Sequence, residues 1–115
     1  MTWTAQQLFG MPVTDPEKQL PNHLNALINL AESILHPTKI WLFGSRARGD
    51  AKDTSDFDLA FEHHAEQKDW IRFLNQVEES PPSLHKYDLV DCNCIDEKLR
   101  VSVESEGLVI YDRQK

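Results

Sequence analysis

Leu20, Leu24, Leu27, Ile28, Ala31 and Ile34 recur at steps of three and four. That spacing lines one face of a helix starting near Glu17, and Pro37 must end it. Lys39-Ile40-Trp41-Leu42-Phe43 is a short apolar run stopped by Gly44, which predicts a buried strand. Residues 44–55 (GSRARGDAKDTS) are polar with two glycines and read as a loop with room for one helical turn. From Asp56 to Phe61 the chain alternates and then turns apolar, a second strand, and His63 to Gln67 is a polar connection. Trp70, Ile71, Phe73, Leu74 and Val77 mark a second amphipathic helix, closed by Ser80-Pro81-Pro82. Lys86 to Asp91 is a third strand, and Asp96 to Ser105 a third helix whose valines would also suit a strand. Gly107 ends it, and Leu108 to Tyr111 forms a last short strand. The order predicts an α/β (α+β) fold, with helices packed on one side of a small mixed sheet. Gly10, Pro12 and Pro16 break any period over residues 1–16, which read as an irregular arm, leaving 17–115 as the single domain.

Composition narrows the function. At 115 residues the chain has one core and no second lobe. Nineteen acidic residues against twelve basic ones give a net charge of −7, which argues against a general nucleic-acid binder. No apolar run reaches the roughly 20 residues of a membrane helix. Met1-Thr2-Trp3-Thr4 lacks the basic start of a signal peptide, so a cytoplasmic location is expected. Cys92 and Cys94 then read as reduced thiols, and a C-x-C pair without two further ligands makes a poor zinc site.

The candidate chemistry lies between Phe43 and Leu59. A strand ends at Gly44-Ser45 and a polar turn follows. Backbone N–H groups at the start of such a turn attract phosphate, and Gly44 lets the chain pass close to it. Ser45 can cap the turn or give its hydroxyl to a phosphate oxygen. Neither a P-loop nor a G-x-G-x-x-G pattern is present. Asp56 and Asp58 stand two apart, so on a strand they share a face. Paired carboxylates repel and raise one another's pKa, which a divalent cation relieves; hard oxygen ligands suit Mg²⁺ or Mn²⁺. Asp88 adds a third carboxylate if its strand lies beside the second. Such a set is the toolkit of two-metal phosphoryl transfer. Asp91 competes with Asp88; three residues apart on a strand, they face opposite ways.

Phe43-Gly44-Ser45-Arg46-Ala47-Arg48-Gly49-Asp50-Ala51, followed by Ser55-Asp56-Phe57-Asp58-Leu59, resembles the minimal nucleotidyltransferase (MNT) family of the DNA polymerase β superfamily. The family pattern runs G-S-x-A-R-G, S-D-x-D-L, then an aspartate in V-D-L-V. Tyr87-Asp88-Leu89-Val90 supplies the last, with tyrosine at the usual valine position. The resemblance implies that Gly44 and Ser45 hold a triphosphate, with Arg48 favoured over the variable Arg46 as a phosphate contact. It implies that Asp56, Asp58 and Asp88 are catalytic and bind metal, and it favours Asp88 over Asp91. It implies transfer of a nucleoside monophosphate, commonly AMP from ATP, with release of pyrophosphate.

Other residues have plainer readings. Arg48-Gly49-Asp50 spells an adhesion tripeptide by coincidence. His63 and His64 read as a surface pair. Arg46 and Arg48 either pair with Asp50 and Asp53 or reach a phosphate. Trp41 and Trp70 belong to the core, Trp3 to an exposed arm that could touch a partner, and Tyr111 is a conceivable self-modification site.

Once the catalytic core is built, no residues remain for an acceptor-binding lobe, so the acceptor is expected in trans. The resemblance supplies a candidate: a small all-helical substrate-binding or HEPN-type toxin protein, with the MNT chain as antitoxin or catalytic subunit attaching AMP to a hydroxyl. The alternatives are a small-molecule acceptor such as an aminoglycoside, a binding module that neutralises its partner by contact alone, and a nucleotide sensor.

Overall fold

The computed structural model describes residues 20–52 and 55–113. The expected arm, Trp3, Asp53 and the first residues of the helix expected from Glu17 lie outside the described residues. The elements run α1 (Asn22–Leu35), β1 (Lys39–Phe43), α2 (Ser45–Arg48), β2 (Phe57–Glu62), α3 (Gln67–Glu79), β3 (Tyr87–Asp91), α4 (Glu97–Glu106) and β4 (Leu108–Asp112). Their order is the one the hydrophobic pattern predicts. α1 ends where His36 turns into the left-handed region at φ 49° and gives its N–H to Ala31 and Glu32, just before Pro37. The valine-bearing segment after β3 is helical. Asp96 starts it by accepting a 2.8 Å hydrogen bond from the Leu99 N–H.

The four strands form one mixed sheet in the order β3-β2-β1-β4. β1 runs antiparallel to both β2 and β4, whereas β2 and β3 are parallel, with α3 as the crossover between them. The period of two along the strands separates two cores. Ile40, Leu42, Phe57, Leu59 and Phe61 face α1 and α3 and pack with Leu24, Leu27, Leu35, Trp70 and Phe73. Trp41 and Ala60 face the other way, against Cys92 and Val103, with Val90, Leu99 and Val109 at the margin. Helices therefore cover both faces, α1 and α3 on one and α4 on the other, which corrects the one-sided packing expected. Trp41 and Trp70 are core residues as expected, and Cys92 and Cys94 are free thiols.

His63 is not a surface residue. Its side chain is 1% exposed and stacks on Trp70 at 5.6 Å between ring centroids, while His64 is exposed. The reason is the strand period: Phe57, Leu59 and Phe61 line the core face of β2, and His63 continues the same row one step past its end.

Candidate active site

β1 delivers the chain to Gly44, which turns at φ +76° into the single helical turn α2. A Cβ at Gly44 would lie 2.1 Å from Oδ2 of Asp58, so only glycine lets the backbone pass this close to that carboxylate. Gly44 is the N-cap position and no side chain caps the turn; Ser45 is its first residue, not its cap. The Gly44 carbonyl accepts the N–H groups of Ala47 and Arg48, which closes the turn directly after the strand.

Asp58 lies in β2 across from Phe43 on one side and Asp88 of β3 on the other. Asp56 precedes β2 with the same parity. Asp58 and Asp88 thus come into contact at the β1 exit, beside Gly44, with Asp56 close enough to add its charge. Asp58's carboxyl is pushed up to about 6, first by burial, then by the charge of Asp88, then by that of Asp56, against a smaller lowering by Arg48. Asp91, opposite Phe61, has the other parity; it turns to the opposite face and sits by His63. The geometry brings Asp88, and not Asp91, to Asp58.

The two arginines separate. Arg46 is buried: its guanidinium lies 4.2 Å from the Phe57 ring centroid and donates to the Ser55 carbonyl at 3.0 Å. Arg46 thereby ties α2 to the start of β2, a structural task that its variable place in the motif gave no reason to expect. Arg48 is exposed at the mouth of the site, 3.5 Å from Asp50 and 4.0 Å from Glu106. Alongside lies a cluster the sequence did not announce. His23 shares a 2.7 Å hydrogen bond with the Tyr87 hydroxyl and stacks on His85, which meets Phe57 edge-on. Burial, then the charges of His85 and Arg46, lower the pKa of His23. A groove of about 710 Å³ follows the edge of β3 from this cluster, lined by Leu74, Val77, Tyr87 and Leu89 and reaching Asp56 and Asp88. Tyr111 is remote: in β4 it pairs with Ile40 and donates to the Glu32 carboxylate, away from the Asp58 end of the sheet.

The donor set suits a hard divalent cation. Asp58 and Asp88 are in contact and all-oxygen, and the Asp58 carboxyl, raised by burial and by the charges of Asp88 and Asp56, is one that positive charge would relieve. Among the described residues no three acidic, histidine or cysteine side chains already stand closed around an ion position.

The family profile described as Polymerase beta, Nucleotidyltransferase matches residues 25–115. This chain belongs to the polymerase β nucleotidyltransferase family. No curated protein matches it in sequence. Among solved structures, the fold resembles a chain of a toxin–antitoxin complex with AMP-PNP: TM-score 0.64 at 24% identity, covering 82% of this chain and 76% of that one. It also resembles a chain of the complex between a tri-AMPylated HEPN toxin and an MNT antitoxin from Shewanella oneidensis. There the TM-score is 0.59 at 21% identity, covering 81% of this chain and 72% of the other. A nucleotidyltransferase fold is thus established from both sequence and shape. No helix among the described residues is long and apolar enough to cross a membrane.

Proposed function

We propose that this nucleotidyltransferase moves AMP from ATP to a hydroxyl on a small helical partner of the HEPN type, using Mg²⁺ held by Asp56, Asp58 and Asp88. The observation that carries the reading is the contact of the Asp58 and Asp88 carboxylates against the Gly44 turn. Two of the similar folds support the acceptor and the nucleotide, one solved with AMP-PNP and the other with an AMPylated HEPN toxin.

Each residue then has a task. Gly44 clears space for the triphosphate, and the leading N–H groups of α2 with the Ser45 hydroxyl hold its oxygens. Arg48 at the mouth adds positive charge. Asp56 and Asp58 hold the cations, which when bound neutralise the triphosphate and the departing pyrophosphate. Asp88 accepts the proton of the acceptor hydroxyl as its oxygen bonds to the α-phosphorus and the bond to the β-phosphate bridging oxygen breaks. The groove along β3 gives the acceptor a path to Asp88.

The test is incubation with α-labelled ATP, Mg²⁺ and the product of the neighbouring open reading frame. Label on that protein, absent with Asp58→Asn, is expected. No label on it, together with Asp58-dependent labelling of an aminoglycoside, would replace the protein acceptor with a small molecule. Pyrophosphate release nowhere, with a melting temperature unmoved by ATP and Mg²⁺, would favour a binding module.

A further inference from the structure

The β2–β3 ladder carries opposite electrostatics at its two ends. At one, Asp58 and Asp88 are direct cross-strand partners, and like charges so placed push strands apart. At the other, Asp91 pairs with Phe61 and its Oδ1 lies 3.1 Å from Nε2 of His63. Among the described strands β3 pairs only with β2, and beyond Tyr87, which bonds to His23, and the packing of Leu89 and Val90, its register against Asp58 depends on that one ladder.

We propose that His63 is a positioning residue: held against Asp91, it fastens β3 to β2 and so keeps Asp88 beside Asp58 despite their repulsion. The surroundings of His63 are built for this. The Ala65 N–H donates to Nδ1 at 3.0 Å, which leaves the proton of a neutral ring on Nε2, facing Asp91. Nε2–H is not aligned for a hydrogen bond, so the contact is a close dipole-to-charge one, in a site where both side chains are nearly sealed from water. Trp70 stacks on the ring and fixes its plane. Asn93 completes the clasp: its N–H donates to Asp91 Oδ1, and its side-chain amide to the His63 carbonyl. Cys94 Sγ is 3.9 Å from Asp91 Oδ2, but the proton on Nε2 makes His63 a donor here and not a metal ligand. From Asp91 to Asp88 is three residues, about 10 Å of strand, short enough for a tether at one to set the pairing of the other.

The catalytic consequence rests on the proposed function; the mechanical claim does not, and its test needs no nucleotide. Hydrogen exchange of residues 87–91 is followed at pH 8 in the full chain. His63→Phe keeps the ring stack and removes the donor; exchange across β3 should quicken about tenfold relative to α1. His63→Gln, whose amide reaches the place of Nε2, should stay within about threefold of the parent. In the Asp88→Asn background, with the repulsion reduced, His63→Phe should quicken exchange by no more than about threefold. Equal acceleration with and without Asp88→Asn would overturn the proposal, as would unchanged exchange in His63→Phe. Should His63→Phe fail to fold, Asp91→Asn runs the same cycle, with about threefold acceleration expected and the same equality overturning it. In the transfer assay, His63→Phe should need more Mg²⁺ for half-maximal rate and recover at saturation, which a loss of packing alone would not give. A parent protein that transfers nothing would count against the proposed function, while the exchange cycle still decides the role of His63.

Discussion

Strand β2 has two neighbours of unlike character. Towards β1 it meets a ladder whose central residues, Ile40, Trp41 and Leu42 against Leu59, Ala60 and Phe61, are all buried. Towards β3 it meets a strand with no fully buried residue, carrying Asp88 and Asp91. The first ladder holds apolar surface out of water and can contribute most of the stability. The second leaves Asp88 where solvent and substrate can reach it while Asp91 is tucked against His63, and Asp58, on the shared strand, belongs to both ladders. Stability and chemistry thus meet on one strand but turn towards different neighbours.

If that division is right, substitutions should split cleanly between the two sides. The largest effect belongs to Asp58→Asn: nucleotidyl transfer should fall by about 10³-fold or more, read as pyrophosphate release, with the fold retained. Leu42→Ala, on the buried side, should cost about 3–4 kcal/mol in chemical denaturation. Gly44→Ala lies where the two sides meet. The left-handed turn and the clash with Asp58 should lower activity about a hundredfold and stability by about 1–2 kcal/mol, so that both readouts move together.

A smaller effect concerns pH. The folded protein holds Asp58's carboxyl at about 6, above the ordinary 3.8. Its contribution is therefore fully present below pH 4 and is lost as pH rises through 6. Relative to Asp58→Asn, the nucleotide-free parent should lose about 1 kcal/mol between pH 4 and pH 7.5, allowing for solvent screening. Melting curves across that range check it, and a constant gap between the two proteins would remove the burial-and-repulsion account. The smallest effect is Asp96→Ala, which deletes the α4 cap: about 1 kcal/mol of stability, with transfer unchanged.

Much of this architecture was legible because single segments carry their own signals. The run from Lys39 to Phe43 ends at a glycine that the backbone needs, and the helical steps from Leu20 to Ile34 end at Pro37. The meeting of Asp58 with Asp88 followed from strand parity once β3 was placed beside β2. The second core was not legible, because Trp41, Ala60 and Val109 form an apolar face only after β1, β2 and β4 are in register. Arg46 was hidden for a similar reason: its partner ring, Phe57, and its acceptor, Ser55, are loop-distant neighbours that no local period reveals. His63 was within reach. Extending the alternation Phe57, Leu59, Phe61 by one step marks it as inward-facing, but its position in Glu62-His63-His64 suggested a polar surface.

The direction of β4 has a practical consequence. It starts beside Leu42 and finishes beside Lys39, on the sheet edge opposite β3. The main chain therefore leaves the sheet diagonally across from the carboxylates and their groove. A fluorophore or a linker to a sensor chip, attached at the far end of β4 near Asp112, would hold the protein with its carboxylate edge turned outward. Partner capture and nucleotide turnover could then be recorded on the same surface.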